Sequence, residues 1–300
     1  MPPSQPAEGD PQPFVEVCPP IIRNGFTILY GDSNSKIDLV FLHGLNGHPK
    51  STWTHNTTDF FWPWELRRHI PDARVLCYGY DSDVSPQLGT NLIRIKSLAA
   101  SFLSNLVNKR QEDHEIGRPL VFIGHSLGGL IIKKALIQAS QTVITELDDA
   151  HRIYQATKGL IFFGTPHAGS AAGKKLRVQT LKLIAKVAFT KVPPKLDSAL
   201  ESHSDELLDL ADDFRTISLY TKREISIYSY AESRTTPKLG AVVVDEFSAF
   251  VGYDKEVRSY IQADHEGIVK FDGETDADYT NVWGKINRLK RLAISVPAGV

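Results

Sequence analysis

The sequence predicts an α/β protein with a mostly parallel, doubly wound sheet and a helical cap insertion. Three observations predict it. Apolar, strand-like runs alternate with helical segments between about residue 26 and residue 163, the pattern of parallel strands joined by crossover helices. One run, Leu120-Val121-Phe122-Ile123, ends in Gly124-His125-Ser126-Leu127-Gly128 and turns at once into a helix. A lysine-rich amphipathic stretch over 170–216 then interrupts the alternation, which marks it as an insertion rather than a layer of the sheet.

Composition sets the bounds. Three hundred residues, 42% of them apolar and 23% charged, suffice for the core of one α/β domain. That domain is expected over 21–300. Residues 1–20 hold seven prolines and few large apolar side chains, so a disordered, proline-rich tail is expected there. A net charge of −1 and the absence of any recognition motif give no reason to expect nucleic acid. Two cysteines, Cys18 and Cys77, make no disulfide framework and suggest a reducing compartment. The N-terminus has no basic and apolar leader, and no apolar run approaches membrane-spanning length. An intracellular, cytoplasmic protein without signal peptide or transmembrane helix is the expectation.

In chain order, Phe26–Tyr30 and Ile37–Leu42 read as strands, the second the more buried. It runs into His43-Gly44-Leu45. Trp53, Trp62 and Trp64 follow within twelve residues, either lining a pocket or anchoring a loop on the core. Arg74–Tyr80 is a further strand, and 87–108 a long amphipathic helix. The strand at Leu120–Ile123, the sharp turn at Ser126 (an elbow) and its helix come next, then a strand over 158–163 that leads into Gly164-Thr165-Pro166-His167. In the 170–216 stretch, lysines interleave with Leu181, Ile184 and Val187. This suits a cap packed over the sheet or a helix in peripheral contact with a membrane surface. Late strands are expected at 224–230 and 241–244, and a closing helix at 279–292.

The chemistry concentrates at Ser126. Gly124 and Gly128 lack a Cβ, which lets strand and helix approach and leaves room for a strained backbone at the serine. The hydroxyl then stands at a helix N-terminus, where free amides favour developing negative charge. A serine is a weak nucleophile and needs an imidazole to take its proton. His265, in a late turn Ala263-Asp264-His265, is the histidine placed to face this elbow, whereas His167 follows the wrong strand and precedes the acid. A carboxylate is needed to orient the imidazole; Glu232, Asp245 and Glu246 all stand just beyond late strands. An oxyanion requires donors from two segments, here the amides of Leu127 and, in the loop after His43 and Gly44, Leu45. No His-Glu-x-x-His or paired-cysteine signal is present, so no metal or cofactor is expected.

With these motifs in order, the chain resembles the serine esterase and lipase-like α/β-hydrolase family of the serine-active-site-containing protein type, and the lipase-like domains of fungal NLR-type proteins. The matching segments are Val40-Phe41-Leu42-His43-Gly44-Leu45, Gly79-Tyr80-Asp81, Phe122 to Leu130, Phe162 to Ser170, and Ala263-Asp264-His265. The resemblance implies the α/β-hydrolase fold and makes Glu232 the acid. Asp245 is the alternative acid, because family members often carry proline there. It further implies a serine hydrolase acting on carboxylic esters; the apolar cap and the aromatics suit lipid or other hydrophobic acyl esters as substrates. An acyltransferase using the same acyl-enzyme, or a non-catalytic signalling domain, are the rival readings.

Overall fold

The computed structural model of the chain describes residues 17–82, 95–111, 113–141, 149–167, 174–188, 210–217 and 225–295. Seven strands form one sheet: β1 (Gly25–Tyr30), β2 (Ile37–Leu42), β3 (Ala73–Gly79), β4 (Leu120–His125), β5 (Thr157–Phe163), β6 (Ser226–Glu232) and β7 (Val257–Ile261). Their order is β1-β3-β2-β4-β5-β6-β7. Antiparallel β1 borders β3 at one edge, and every other neighbouring pair is parallel. The helices used below are α1 (Ile95–Lys109), α2 (Leu127–Gln141), α3 (Asp149–Ala156), α4 (Lys174–Ala188) and α5 (Ala277–Ser295).

Each central strand is buried on both faces, so its side chains divide by alternation. In β2, Val40 and Leu42 join α1, α2 and α3 in one core, while Ile37, Leu39 and Phe41 face the other. That second core contains Trp53, Trp62 and, from α5, Tyr279, Val282, Ile286 and Leu289. Trp53 and Trp62 meet Phe41 edge to face at 5.2 and 5.0 Å. The tryptophans therefore anchor their loop on the core and do not line a pocket.

The order of the strands places the site. From β2 the chain moves to one side for β3 and returns to the other side for β4. The loops leaving β2 and β4 thus diverge above the sheet, and a crevice opens at the C-terminal ends of those strands. Leu42 is followed there by His43 and Gly44, and His125 by Ser126.

At the opposite ends of the same strands Asp38 is a buried hub. Its carboxylate takes two hydrogen bonds from Arg74, at 2.9 and 2.8 Å, and one from Arg118 at 2.9 Å. Arg110 stands 3.2 Å away, and Glu115 pairs with Arg74 at 2.6 Å. Arg110 also donates to the carbonyls of Glu115, Ile116 and Arg118, which ties the approach to β4 down to the helix α1 end.

One expectation needs correction. Ala241–Val244 is not a strand of the sheet; it makes only an isolated bridge between Thr236 and Ala241. The last strand is β7, at Val257–Ile261, where exposed Val257, Arg258 and Tyr260 form the sheet edge. Of the expected tail, residues 1–16 lie outside the described residues, while Cys18 is half-buried against the second core. The expected helix over 87–108 is described from Ile95 onward, and the 170–216 insertion only at 174–188 and 210–217. Within it α4 packs Leu181, Ile184, Ala185 and Val187 on Ala231, Val243, Val244 and Ala249. Among the described residues no helix is long and apolar enough to cross a membrane.

Candidate active site

Ser126 occupies the turn between β4 and α2 with φ of +50°, a left-handed conformation that a non-glycine residue adopts only when its surroundings hold it there. They do. Its amide donates to the Phe163 carbonyl of neighbouring β5 at 2.9 Å, and its carbonyl accepts from Gly129 at 3.1 Å. Close packing explains the flanking glycines: a Cβ on Gly124 would lie 2.8 Å from the Gly129 Cα, and one on Gly128 would strike the carbonyls of Leu42 and His43.

Three segments far apart in sequence converge here. The Ser126 Oγ lies 3.0 Å from His265 Nε2, and His265 Nδ1 lies 2.8 Å from Glu232 Oε2. All three side chains are buried. A carboxylate at that nitrogen fixes the proton on Nδ1, which leaves Nε2 as the acceptor for the serine hydroxyl. The other oxygen of Glu232, Oε1, accepts from the amides of Val243 and Val244, the latter at 2.8 Å. The 241–244 segment thus binds the carboxylate rather than the sheet.

Asp245 does not reach His265. It is the N-cap of the helical turn Glu246–Ala249, its Oδ1 accepting from the Ser248 amide at 3.0 Å. His167 also stands apart: its amide donates to the Ser248 carbonyl at 2.6 Å and its Nδ1 faces Lys133 Nζ at 3.4 Å. Burial pushes its pKa well below the usual value, with the Lys133 charge acting the same way.

His43 and His125 support the site as neutral rings. His43 donates from Nδ1 to the Gly44 carbonyl at 2.9 Å, receives the Tyr80 amide at Nε2, and stacks on the Tyr80 ring at 4.3 Å. Burial lowers its pKa to about 4. His125 donates from Nε2 to the main-chain carbonyl of His265 at 2.8 Å. Burial first, and then the neighbouring His265, lower its pKa to about 3. Trp62 Nε1 donates to the Val269 carbonyl at 2.9 Å, so the aromatic core anchors the turn that carries His265.

A pocket of about 230 Å³ opens over Ser126 and His265. Gly44, Leu45 and Asn46 form one part of its wall, and Ile184, Val187 and Ala188 of α4 another. The Asn46 side chain donates to the Ala188 carbonyl at 2.7 Å, which joins the cap to the loop after β2. Asn56, Glu266 and Lys270 complete a polar side. Among the described residues no hydrogen bond engages the amides of Leu45 or Leu127. The α4 wall is foreshadowed by the helical spacing of Ile184 and Val187. Asn56 and Lys270 meet across 214 positions, and no local sequence signal marks them. Among the described residues, no group of three or more His, Cys, Asp or Glu side chains is disposed to hold a metal ion.

A family model described as the alpha/beta hydrolase family matches residues 39–277. Among curated proteins, Protein SERAC1 of Danio rerio is 27% identical over 256 residues, 78% of this chain and 36% of that protein. Protein SERAC1 of Homo sapiens is 29% identical over 196 residues, 59% of this chain and 29% of that protein. The chain therefore spans about a third of the length of the curated relatives it matches. Solved structures that the chain matches include a soluble variant of monoglyceride lipase from Saccharomyces cerevisiae, with TM-score 0.46 and 14% identity over 96% of this chain and 100% of that one. Another is a lipase-esterase related protein from Clostridium acetobutylicum, with TM-score 0.45 and 12% identity over 89% of this chain and 100% of that one.

Proposed function

The chain belongs to the alpha/beta hydrolase family, and from that membership we propose that it is a serine hydrolase of carboxylic esters that works through an acyl-enzyme on Ser126. The observation that carries this reading is the continuous hydrogen-bonded series from Ser126 through His265 to Glu232, with the serine held at a strained elbow.

In this reading Ser126 Oγ attacks the ester carbonyl as His265 Nε2 takes the hydroxyl proton. Glu232 keeps the imidazole in the productive tautomer and stabilises the imidazolium. The Leu127 amide, at the N-terminus of α2, and the Leu45 amide hold the oxyanion. The alcohol leaves with the proton carried by His265. Water then attacks the acyl carbonyl as His265 Nε2 takes its proton, and that proton passes to Ser126 Oγ as the bond to the acyl group breaks and the acid leaves. Ile184, Val187 and Leu45 supply an apolar side to the pocket, which supports a hydrophobic acyl group.

The test is reaction of the folded protein with a fluorophosphonate, alongside Ser126→Ala, followed by peptide mass mapping. Labelling confined to Ser126 is expected, together with release of acid from simple esters. A folded protein that takes no label at Ser126 would overturn the reading.

A further inference from the structure

Lys270 lines the same pocket as Ser126 and His265. Its ammonium donates to the Asn56 side-chain oxygen at 2.8 Å and to the Ser51 carbonyl at 3.2 Å. Both acceptors are neutral, and among the described residues no carboxylate lies within ion-pair distance of it. An ammonium has three donors, so one is left over. Partial burial lowers its pKa, while Glu266 and Asp264 act in the opposite direction. Hydrolysis of a plain ester has no use for a braced cation at this place.

We propose that Lys270, held by Asn56 and Ser51, is a subsite for a carboxylate on the alcohol portion of the ester, so that acyl esters of hydroxy-carboxylates are the preferred substrates. The inference rests on the assignment of Ser126 and His265 as nucleophile and base. The leaving alcohol oxygen must come within hydrogen-bond reach of His265 Nε2 to receive its proton. The alcohol therefore lies along the turn that runs from His265 through Gly267–Val269 to Lys270. The acyl group is left to the α4 wall at Ile184 and Val187. A single ammonium with one remaining donor suits a single negative charge, and exposed Glu266 on the same wall opposes a doubly charged group.

Calorimetric binding to Ser126→Ala protein tests this without turnover. Butanoyloxyacetate is expected to bind about tenfold tighter than neutral butanoyloxyacetamide, as one charge-assisted hydrogen bond would give. Adding Lys270→Met should abolish the difference, and Lys270→Arg should keep most of it. Equal binding of the two ligands, or a preference that survives Lys270→Met, would overturn the proposal. Tighter binding of 2-(butanoyloxy)ethyl phosphate than of the carboxylate would overturn the choice of anion. An equal gain for monoethyl succinate over its amide would overturn the side assigned to it. Turnover of butanoyloxyacetamide by the unmodified protein is measured in parallel; its absence would count against the hydrolase reading and leave the binding comparison to be judged separately.

Discussion

His265 Nδ1 and Glu232 Oε2 stand 2.8 Å apart, and the second oxygen of that glutamate is held by the Val243 and Val244 amides. The carboxylate cannot swing away from the imidazole without abandoning two main-chain donors in a buried site, each costly to leave unpaired. Glu232 is thus held in place against His265, as the proposed orienting role requires. Glu232→Gln is expected to lower kcat by about 10⁴, because the amide can stabilise the wrong imidazole tautomer. Asp245→Asn should leave kcat within about twofold and stability nearly unchanged, since asparagine caps a helix about as well as aspartate. Steady-state kinetics of the two variants on one ester separate these roles. The reverse ranking would make Asp245 the acid.

His125 donates to the main-chain carbonyl of His265, so the residue before Ser126, the proposed nucleophile, also holds the turn of the proposed base. His125→Phe should lower kcat by about a hundredfold with little change in KM, the scale expected for a displacement of about 1 Å. His125→Gln restores a donor and should recover part of the loss. Equal kcat in all three proteins would restrict His125 to a packing role.

Much of this arrangement is legible in the sequence, and the exceptions have physical causes. Strand β4, the elbow and α2 announce themselves because burial on both faces demands an apolar run and close packing demands the glycines. Strand β7 does not, because an edge strand with Val257, Arg258 and Tyr260 exposed has no such run. Ala241–Val244 imitates a strand by composition, yet its amides at Val243 and Val244 are engaged by Glu232. Spacing leaves Glu232 and Asp245 open as the acid. The Asp-x-x-Ser pattern at Asp245 and Ser248, however, is a helix N-cap signal. Lys270 and Asn56 are brought together by the tertiary fold alone.

Acid is expected to weaken the fold before it titrates ordinary carboxylates. His43, His125 and His167 are all buried with lowered pKa values, about 4 and about 3 for the first two. The unfolded chain takes up their protons near pH 6.5, whereas the folded protein refuses them. Stability is therefore full above pH 6.5 and falls as pH drops from there toward 4, by up to about 1.4 kcal/mol per unit for each ring. Urea midpoints at pH 7.5, 6.0 and 5.0 measure the slope. The same slope in His43→Gln would show that His43 contributes nothing to it.

Asp38 should dominate stability at the far end of the sheet. It is fully buried and faces Arg74, Arg110 and Arg118. Asp38→Asn leaves three buried guanidinium groups with, among the described residues, only Glu115 as counter-charge, and removing one partner of a buried ion pair costs about 3–5 kcal/mol. Thermal unfolding should register that loss, with kcat of the folded fraction unchanged because the cluster lies at the opposite strand ends from Ser126. A loss below about 1 kcal/mol would show that water reaches the cluster.

In the proposed ester hydrolase, the α4 wall is expected to set the length of acyl group that the pocket accepts. Ile184 and Val187 line it, and Ile184 is only 5% exposed because its other side rests on the Val243 and Val244 cluster. Ile184→Ala removes three carbons from the wall and should cost about 2 kcal/mol of stability. The space gained admits two or so further methylenes, and each is worth about 0.8 kcal/mol when buried, close to fourfold in kcat/KM. The profile of kcat/KM against chain length, over 4-nitrophenyl esters from acetate to decanoate, should therefore shift to longer chains. Asn46→Ala, which releases the hydrogen bond to Ala188, should instead broaden the profile without moving its peak, because the wall is loosened but not shortened. An unshifted peak in Ile184→Ala would place the acyl chain on another wall.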